Sequence, residues 1–113
     1  MAFTRNSDVG VVFCTVGDEK NANDIAKALV ESKLAACVNK IKGVSSVFVW
    51  EDKLEEVAEV LLIIKTRKKR FAAIKTKILE MHKYSLPEII YLSVEDGYSE
   101  YMKWVAERTH IGK

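Results

Sequence analysis

The period of the apolar positions changes repeatedly along the chain, and each change marks an element. The stretch VGVVFCTV (9–16) is rich in β-branched and aromatic residues and stops at GDEKN, a turn signal, so it predicts a first strand. From Asn21 to Ser32 the apolar positions Ile25, Ala28 and Leu29 recur at helical spacing among good helix formers. AACVNKI returns toward alternation, Gly43 interrupts it, and VSSVFVW continues extended, which predicts a second strand bent at the glycine. Beyond the polar WEDKLEE, the run EVLLIIKT has the length and composition of a fully buried strand, and the two strands form a long hairpin. Phe71, Ile74, Ile78 and Met81 then fall at helical spacing, with Lys68, Lys69, Lys75 and Lys77 between them on the wet faces. The basic run KTRKKR is therefore the entry to a second helix. Pro87 suits the start of the strand in LPEIIYLSVEDG, and Asp96 and Gly97 turn the chain. Ser99 is placed to N-cap a short last helix carrying Tyr101, Trp104 and Val105, and the tail THIGK is expected to fray.

The resulting order, β-α-β-β-α-β plus a C-terminal helix, predicts an α+β, ferredoxin-like antiparallel sheet with two helices on one face. The other face carries Phe48, Trp50 and Tyr91 in this reading, and leaving it wet is costly. The C-terminal helix or neighbouring subunits are expected to cover it, which predicts self-association.

Composition narrows the picture. At 113 residues the chain fits one domain over its whole length, with a core from about residue 9 to residue 106 between a short lead and a tail. Eighteen basic and sixteen acidic residues leave a formal charge of +2, so no polyanion partner is signalled by the molecule as a whole. A nucleic-acid patch built on KTRKKR would want stacking aromatics beside it, and an RNP-like block is missing, so a solvated helix start is the better reading. Its cations nevertheless sit at the positive end of a helix dipole, where an anion would be welcome. The longest uninterrupted apolar part of EVLLIIKT runs only from Val60 to Ile64, short of the roughly twenty residues a membrane span needs. MAFTRNSD has no apolar leader segment, so the chain reads as cytoplasmic. Cys14 and Cys37 form neither a CxxC nor a zinc quartet and read as reduced thiols.

The blocks AKALVESKLAACVNKI, GVSSVFVWEDKLEE, EVLLIIKTRKKRF and LPEIIYLSVEDGYSEYMKWV resemble, in order and spacing, the CutA family of divalent-cation tolerance proteins. The resemblance runs from about Val11 to Val105. It implies a homotrimer of ferredoxin-like subunits with strands pairing edge to edge, a role in tolerance of copper and other divalent metals, and a likeness to the PII signalling trimers. It attaches no reaction to the fold, so no enzyme is expected, and no cofactor is required for folding.

Cys14, Cys37 and His82 fall where members of that family carry cysteines and a histidine. Thiolate and imidazole are suitable copper ligands, so these three are the candidate metal set. The histidine block reads HKY, with Lys83 standing where the family carries proline. Trp50, Glu51, Lys53, Glu59, Lys65, Tyr84, Glu88 and Tyr101 match further positions of the family pattern and could line a cleft between subunits, holding a small anion or polar ligand. Interface hydrogen bonds and salt bridges are the competing reading of the same residues, because no nucleophile with a base partner emerges.

Overall fold

A long two-stranded hairpin gives the molecule its shape. The computed structural model describes residues 8–110. Its elements are β1 (Val9–Val16), α1 (Glu19–Glu31), β2 (Cys37–Trp50), β3 (Lys53–Arg67), a 3-10 turn (Lys68–Arg70), α2 (Phe71–Met81), β4 (Ile90–Ser93) and α3 (Ser99–Arg108). The sheet order is β2-β3-β1-β4 and all three pairings are antiparallel. Each crossover through α1 or α2 skips one strand, which is the split βαβ arrangement the order of elements predicts.

Directly paired residues of an antiparallel sheet share a face, so the register sorts every strand residue onto one side or the other. Val12, Cys14 and Val16 of β1 pair with Ile64, Leu62 and Val60 of β3, and this face packs against Ile25 and Leu29 of α1 and Ile74 and Ile78 of α2. The opposite, open face carries Val11, Phe13 and Thr15, and only one end of it is covered. There Met102 and Val105 of α3 pack on Val9 and Ala36.

β2 and β3 run past the end of β1 as an arm. The molecule is 50 × 25 × 21 Å with a Cα radius of gyration of 15.0 Å, against roughly 13 Å for a compact chain of this length. Partway along the arm the register slips. Ile41 faces Leu61 while Val44 faces Glu59, so β2 has one residue more than its partner. Gly43, at φ 76°, absorbs the bulge in a conformation that side chains resist. The slip reverses parity: Cys37, Asn39 and Ile41 lie on the open face before it, and Ser46, Phe48 and Trp50 lie there after it. Both residues of the tip, Glu51 and Asp52, have left-handed φ (52° and 66°), as a tight two-residue hairpin turn demands.

Several local expectations shift. α1 begins at Glu19, two residues before the predicted start, because Asp18 accepts the Asn21 N–H at 2.7 Å and caps it. That bond holds the Asp18 carboxyl below its usual pKa, with the Lys83 ammonium adding to the effect. The strand expected over EVLLIIKT is longer, β3 starting at Lys53 and ending at Arg67. The β4 ladder starts at Ile90, three residues after Pro87. Ser99 does not cap α3: it is the first helical residue, the cap position is Tyr98, and no side chain bonds the free N–H groups there. The fraying expected of the tail concerns residues 111–113, outside the described residues.

The KTRKKR run is also accounted for. Arg67 Nε donates to Thr109 Oγ1 at 3.0 Å, its Nη2 to the Thr109 carbonyl at 3.2 Å, and Arg70 Nε to the same carbonyl at 2.7 Å. Two guanidinium groups thus hold the C-terminus of α3, the negative end of its dipole. These two arginines are misplaced for their own helix and well placed for another, while Lys68 and Lys69 stay exposed at the start of α2.

Candidate functional site

The three side chains expected to hold copper do not converge. Cys14 and Cys37 flank β3 on opposite sides and project from opposite faces, since Cys14 pairs with Leu62 and Cys37 with Lys65, three residues apart on that strand. Cys14 is fully buried, and burial, with the Glu88 and Glu59 charges behind it, pushes its thiol up to about 12. A thiol held protonated in a core is a poor metal ligand. Cys37 is partly exposed on the open face. His82 caps the C-terminus of α2, and both its ring nitrogens are engaged: Nε2 donates to the Thr15 carbonyl at 2.8 Å, and Nδ1 accepts the Tyr84 N–H at 3.1 Å. That pattern suits a neutral imidazole tying the chain after α2 to the end of β1. Among the described residues no three His, Cys, Asp or Glu side chains lie close enough to share a metal ion.

The cleft residues divide into two groups. Trp50, Glu59, Tyr84 and Glu88 come together around a groove of about 790 Å³ on the open face, between the arm and the segment after α2. Lys65 and Tyr101 belong elsewhere, at the α3 end of that face. Lys65 Nζ bonds Asn39 Oδ1 and pairs in register with Cys37. Tyr101 stacks at 5.6 Å from Trp104, and burial, then the Cys37 charge, raises its phenol. Glu51 lies in the arm tip and Lys53 just beyond it, and neither lines the groove.

The floor of the groove is a polar pair. Glu59 is only 6 % exposed, and Tyr84 Oη donates to its Oε2 at 2.7 Å. Burial and then the Glu59 carboxylate hold the Tyr84 phenol protonated up to about 12. The close approach of Tyr84 to β1 depends on Gly17, where a Cβ would come within 2.8 Å of the phenol oxygen. Phe48 and Trp50 form the wall on β2, Glu55 and Val57 continue the floor along β3, and Ser85, Leu86 and Glu88 close the third side. The sequence reading missed Thr15, Ser46, Phe48, Glu55, Val57, Ser85 and Leu86. Alternation along the two arms of the hairpin was the signal available, because 55, 57 and 59 share a face and 46, 48 and 50 join them once the bulge is counted.

Chemically the groove offers carboxylates, phenol, hydroxyls and aromatic faces. No histidine lines it, and among the described residues neither Ser46 nor Ser85 bonds a base, so it lacks the pairing a nucleophile needs.

Residues 10–108 match the family model described as CutA1 divalent ion tolerance protein. The divalent-cation tolerance protein CutA of Thermus thermophilus is 42 % identical over 99 residues, covering 88 % of this chain and 96 % of that one. Human Protein CutA is 42 % identical over 101 residues, 89 % of this chain and 56 % of the longer human protein. Among solved structures, CutA from Xylella fastidiosa superposes with a TM-score of 0.90 at 36 % identity, covering 92 % of this chain and all of that one (100 %). A protein from Archaeoglobus fulgidus described as a periplasmic divalent cation tolerance protein superposes at 0.87 with 36 % identity, covering 90 % of this chain and 99 % of that one. Fold and sequence agree across these comparisons, and the chain belongs to the CutA1 divalent ion tolerance family.

Proposed function

We propose that this chain serves divalent-cation tolerance as a non-catalytic, self-assembling binding module, and that its working surface is the groove around Glu59 and Tyr84. The carrying observation is that pair: a buried carboxylate held by a partly exposed phenol, at the floor of a groove with aromatic walls and no nucleophile–base pair. This is the PII-like reading, in which a small ligand at the groove, rather than captured metal, is the signal. Homotrimeric assembly fits the apolar residues that the arm and β4 leave exposed, among them Val47, Val49, Leu54, Ile90 and Leu92, and the unpaired outer edges of β2 and β4. Two unpaired cysteines suit the reducing cytoplasm.

A second reading, direct capture of copper, is favoured by one observation: the Cys37 thiol reaches the open face. A soft thiolate there would take Cu(I) in particular. Native mass spectrometry of the reduced protein with stoichiometric Cu(I) and Cu(II) separates the two. The first reading predicts a trimer that retains no fixed complement of copper. A fixed complement per subunit, lost in Cys37→Ser and kept in Cys14→Ser, would replace it with the second, and a monomer would remove the assembly both assume.

A further inference from the structure

Between β4 and α3 the chain crosses an irregular loop, residues 94–98, that is moored at its two ends. The Val94 N–H donates to the Val9 carbonyl at 3.1 Å, and the Tyr98 carbonyl accepts the Met102 N–H at 3.0 Å. Among the described residues, Glu95, Asp96 and Gly97 make a single hydrogen bond, and it is local: the Gly97 N–H donates to Oδ1 of Asp96 at 2.9 Å. All three are exposed. Asp96–Gly97 is also the one place in the sequence where an aspartate or asparagine directly precedes a glycine.

That local bond brings together the two atoms of a cyclisation. Cγ of Asp96 is one bond away from Oδ1, so the Gly97 nitrogen is held beside a carboxyl carbon, and its proton points at the group that must take it. Held contact of this kind is what favours an intramolecular reaction over its bimolecular counterpart. Glycine has no Cβ to obstruct the attack, and a loop with few hydrogen bonds leaves the backbone free to turn into the ring. The other aspartates are worse placed. Asp18 is engaged by the Asn21 N–H as the cap of α1, and Asp24 lies inside that helix. Asp8 stands opposite Arg67 and precedes the β-branched Val9, while Asp52 in the arm tip is followed by Lys53.

We propose that Asp96–Gly97 is a site of spontaneous isoaspartyl formation and that its conversion loosens α3. The Gly97 amide nitrogen gives up its proton and bonds to Cγ of the protonated Asp96 carboxyl; the hydroxyl leaves with that proton as water, closing a five-membered succinimide. Water then opens the ring. Addition at Cγ with cleavage of the new C–N bond restores aspartate. Addition at the Asp96 carbonyl carbon with cleavage of the original peptide bond leaves the chain running through the side chain, with a free α-carboxylate. One water leaves and one enters, so no oxidant, metal or co-reactant is required. The product adds a methylene to the backbone directly before Gly97, where space is tight: a Cβ on Gly97 would stand 2.8 Å from Met102 Sδ. Met102 and Val105 fasten α3 to Val9 and Ala36, so the lengthened chain disturbs the helix at the side chain that anchors its first turns.

The test ages the full-length folded protein in mildly acidic buffer at physiological temperature and follows it by peptide mapping that separates aspartyl from isoaspartyl forms. A synthetic peptide covering residues 92–101 is the reference. Isoaspartate is expected at position 96 at least tenfold faster than at Asp52, and within tenfold of the rate in the peptide. Asp96→Asn, which expels ammonia instead of water, should convert at least tenfold faster, and Asp96→Glu, which would need a larger ring, should not convert. Both change an exposed side chain, so both should fold. Hydrogen exchange of the aged protein should show a second population in which α3 exchanges faster while β1 and β3 are unchanged. Conversion at position 96 no faster than at Asp52, or more than tenfold slower than in the peptide, overturns the site. Unaltered exchange of α3 in a sample that is mostly converted overturns the effect on the helix.

Discussion

Cys14 tests whether the core and not a metal site owns the first thiol. Its side chain is fully buried between the sheet and the two helices, and burial moves its pKa from 9.0 to about 12. In the unfolded chain the thiol ionises first, so the folded state is favoured by the full difference below pH 9 and loses that advantage as pH rises toward 12. Three units at about 1.4 kcal/mol each make the total loss about 4 kcal/mol, of which about 2 kcal/mol is gone by roughly pH 10.5. Cys14→Ala removes the titrating group, at a neutral-pH cost of about 1–2 kcal/mol for the vacated volume. Urea unfolding of both proteins from pH 7 to pH 10.5 should therefore show the wild type more stable at neutral pH and the gap closing or reversing at the alkaline end. Labelling with a thiol reagent gives the companion result: Cys37 reacts in the folded protein and Cys14 only on unfolding. A gap independent of pH, or Cys14 labelled as fast as Cys37, refutes the reasoning.

Other substitutions probe the supports of the fold and the groove. Gly10→Ala puts a Cβ 2.3 Å from Tyr91 Oη and 2.6 Å from the Leu92 carbonyl oxygen, and should cost about 2–4 kcal/mol in denaturant unfolding. Tyr84→Phe leaves the buried Glu59 carboxylate without its donor; a loss of about 1–3 kcal/mol is expected, substantially recovered when Glu59→Gln is added, as a double-mutant cycle would show. Arg70→Ala leaves the Thr109 carbonyl to Arg67 alone, and hydrogen exchange should then quicken in α3 while β1 and β3 stay protected. Asp52→Gly relieves a left-handed residue at the arm tip and should raise stability by up to about 1 kcal/mol, read as an increase in Tm.

Periodicity was enough to read the order of elements and the split βαβ topology. VGVVFCTV and the Phe71–Met81 spacing carry their burial in their own pattern. The ends of elements were less legible because they depend on caps and turns that compete with one another. Asp18 draws α1 back by two residues through one side-chain bond, whereas Ser99, a good cap by type, is taken into α3 itself. The groove was half legible: Trp50, Glu59, Tyr84 and Glu88 were named, yet Phe48 and Glu55 were not. Phe48 was expected on the open face with Trp50, and both lie there because the extra residue near Gly43 reverses the faces of β2 midway, whereas Tyr91, expected beside them, pairs with Val12 on the helix-covered face. Copper chemistry was inferred from family position and residue type, and neither carries information about which face of a sheet a thiol occupies. The cationic run is the entry to α2, as expected, but the roles of Arg67 and Arg70 were not legible, since their partner, the Thr109 carbonyl, lies about forty residues downstream.

The most direct test of the groove as the working surface is a growth challenge with copper and other divalent salts. Cells lacking their own protein of this family are supplied with the wild type, Trp50→Ala, Glu59→Gln or Cys37→Ser, matched for soluble expression and assembly. The account predicts that Trp50→Ala and Glu59→Gln fail to restore tolerance while Cys37→Ser restores it. Full tolerance from both groove variants, with Cys37→Ser alone failing, would contradict it and place the function at the thiol.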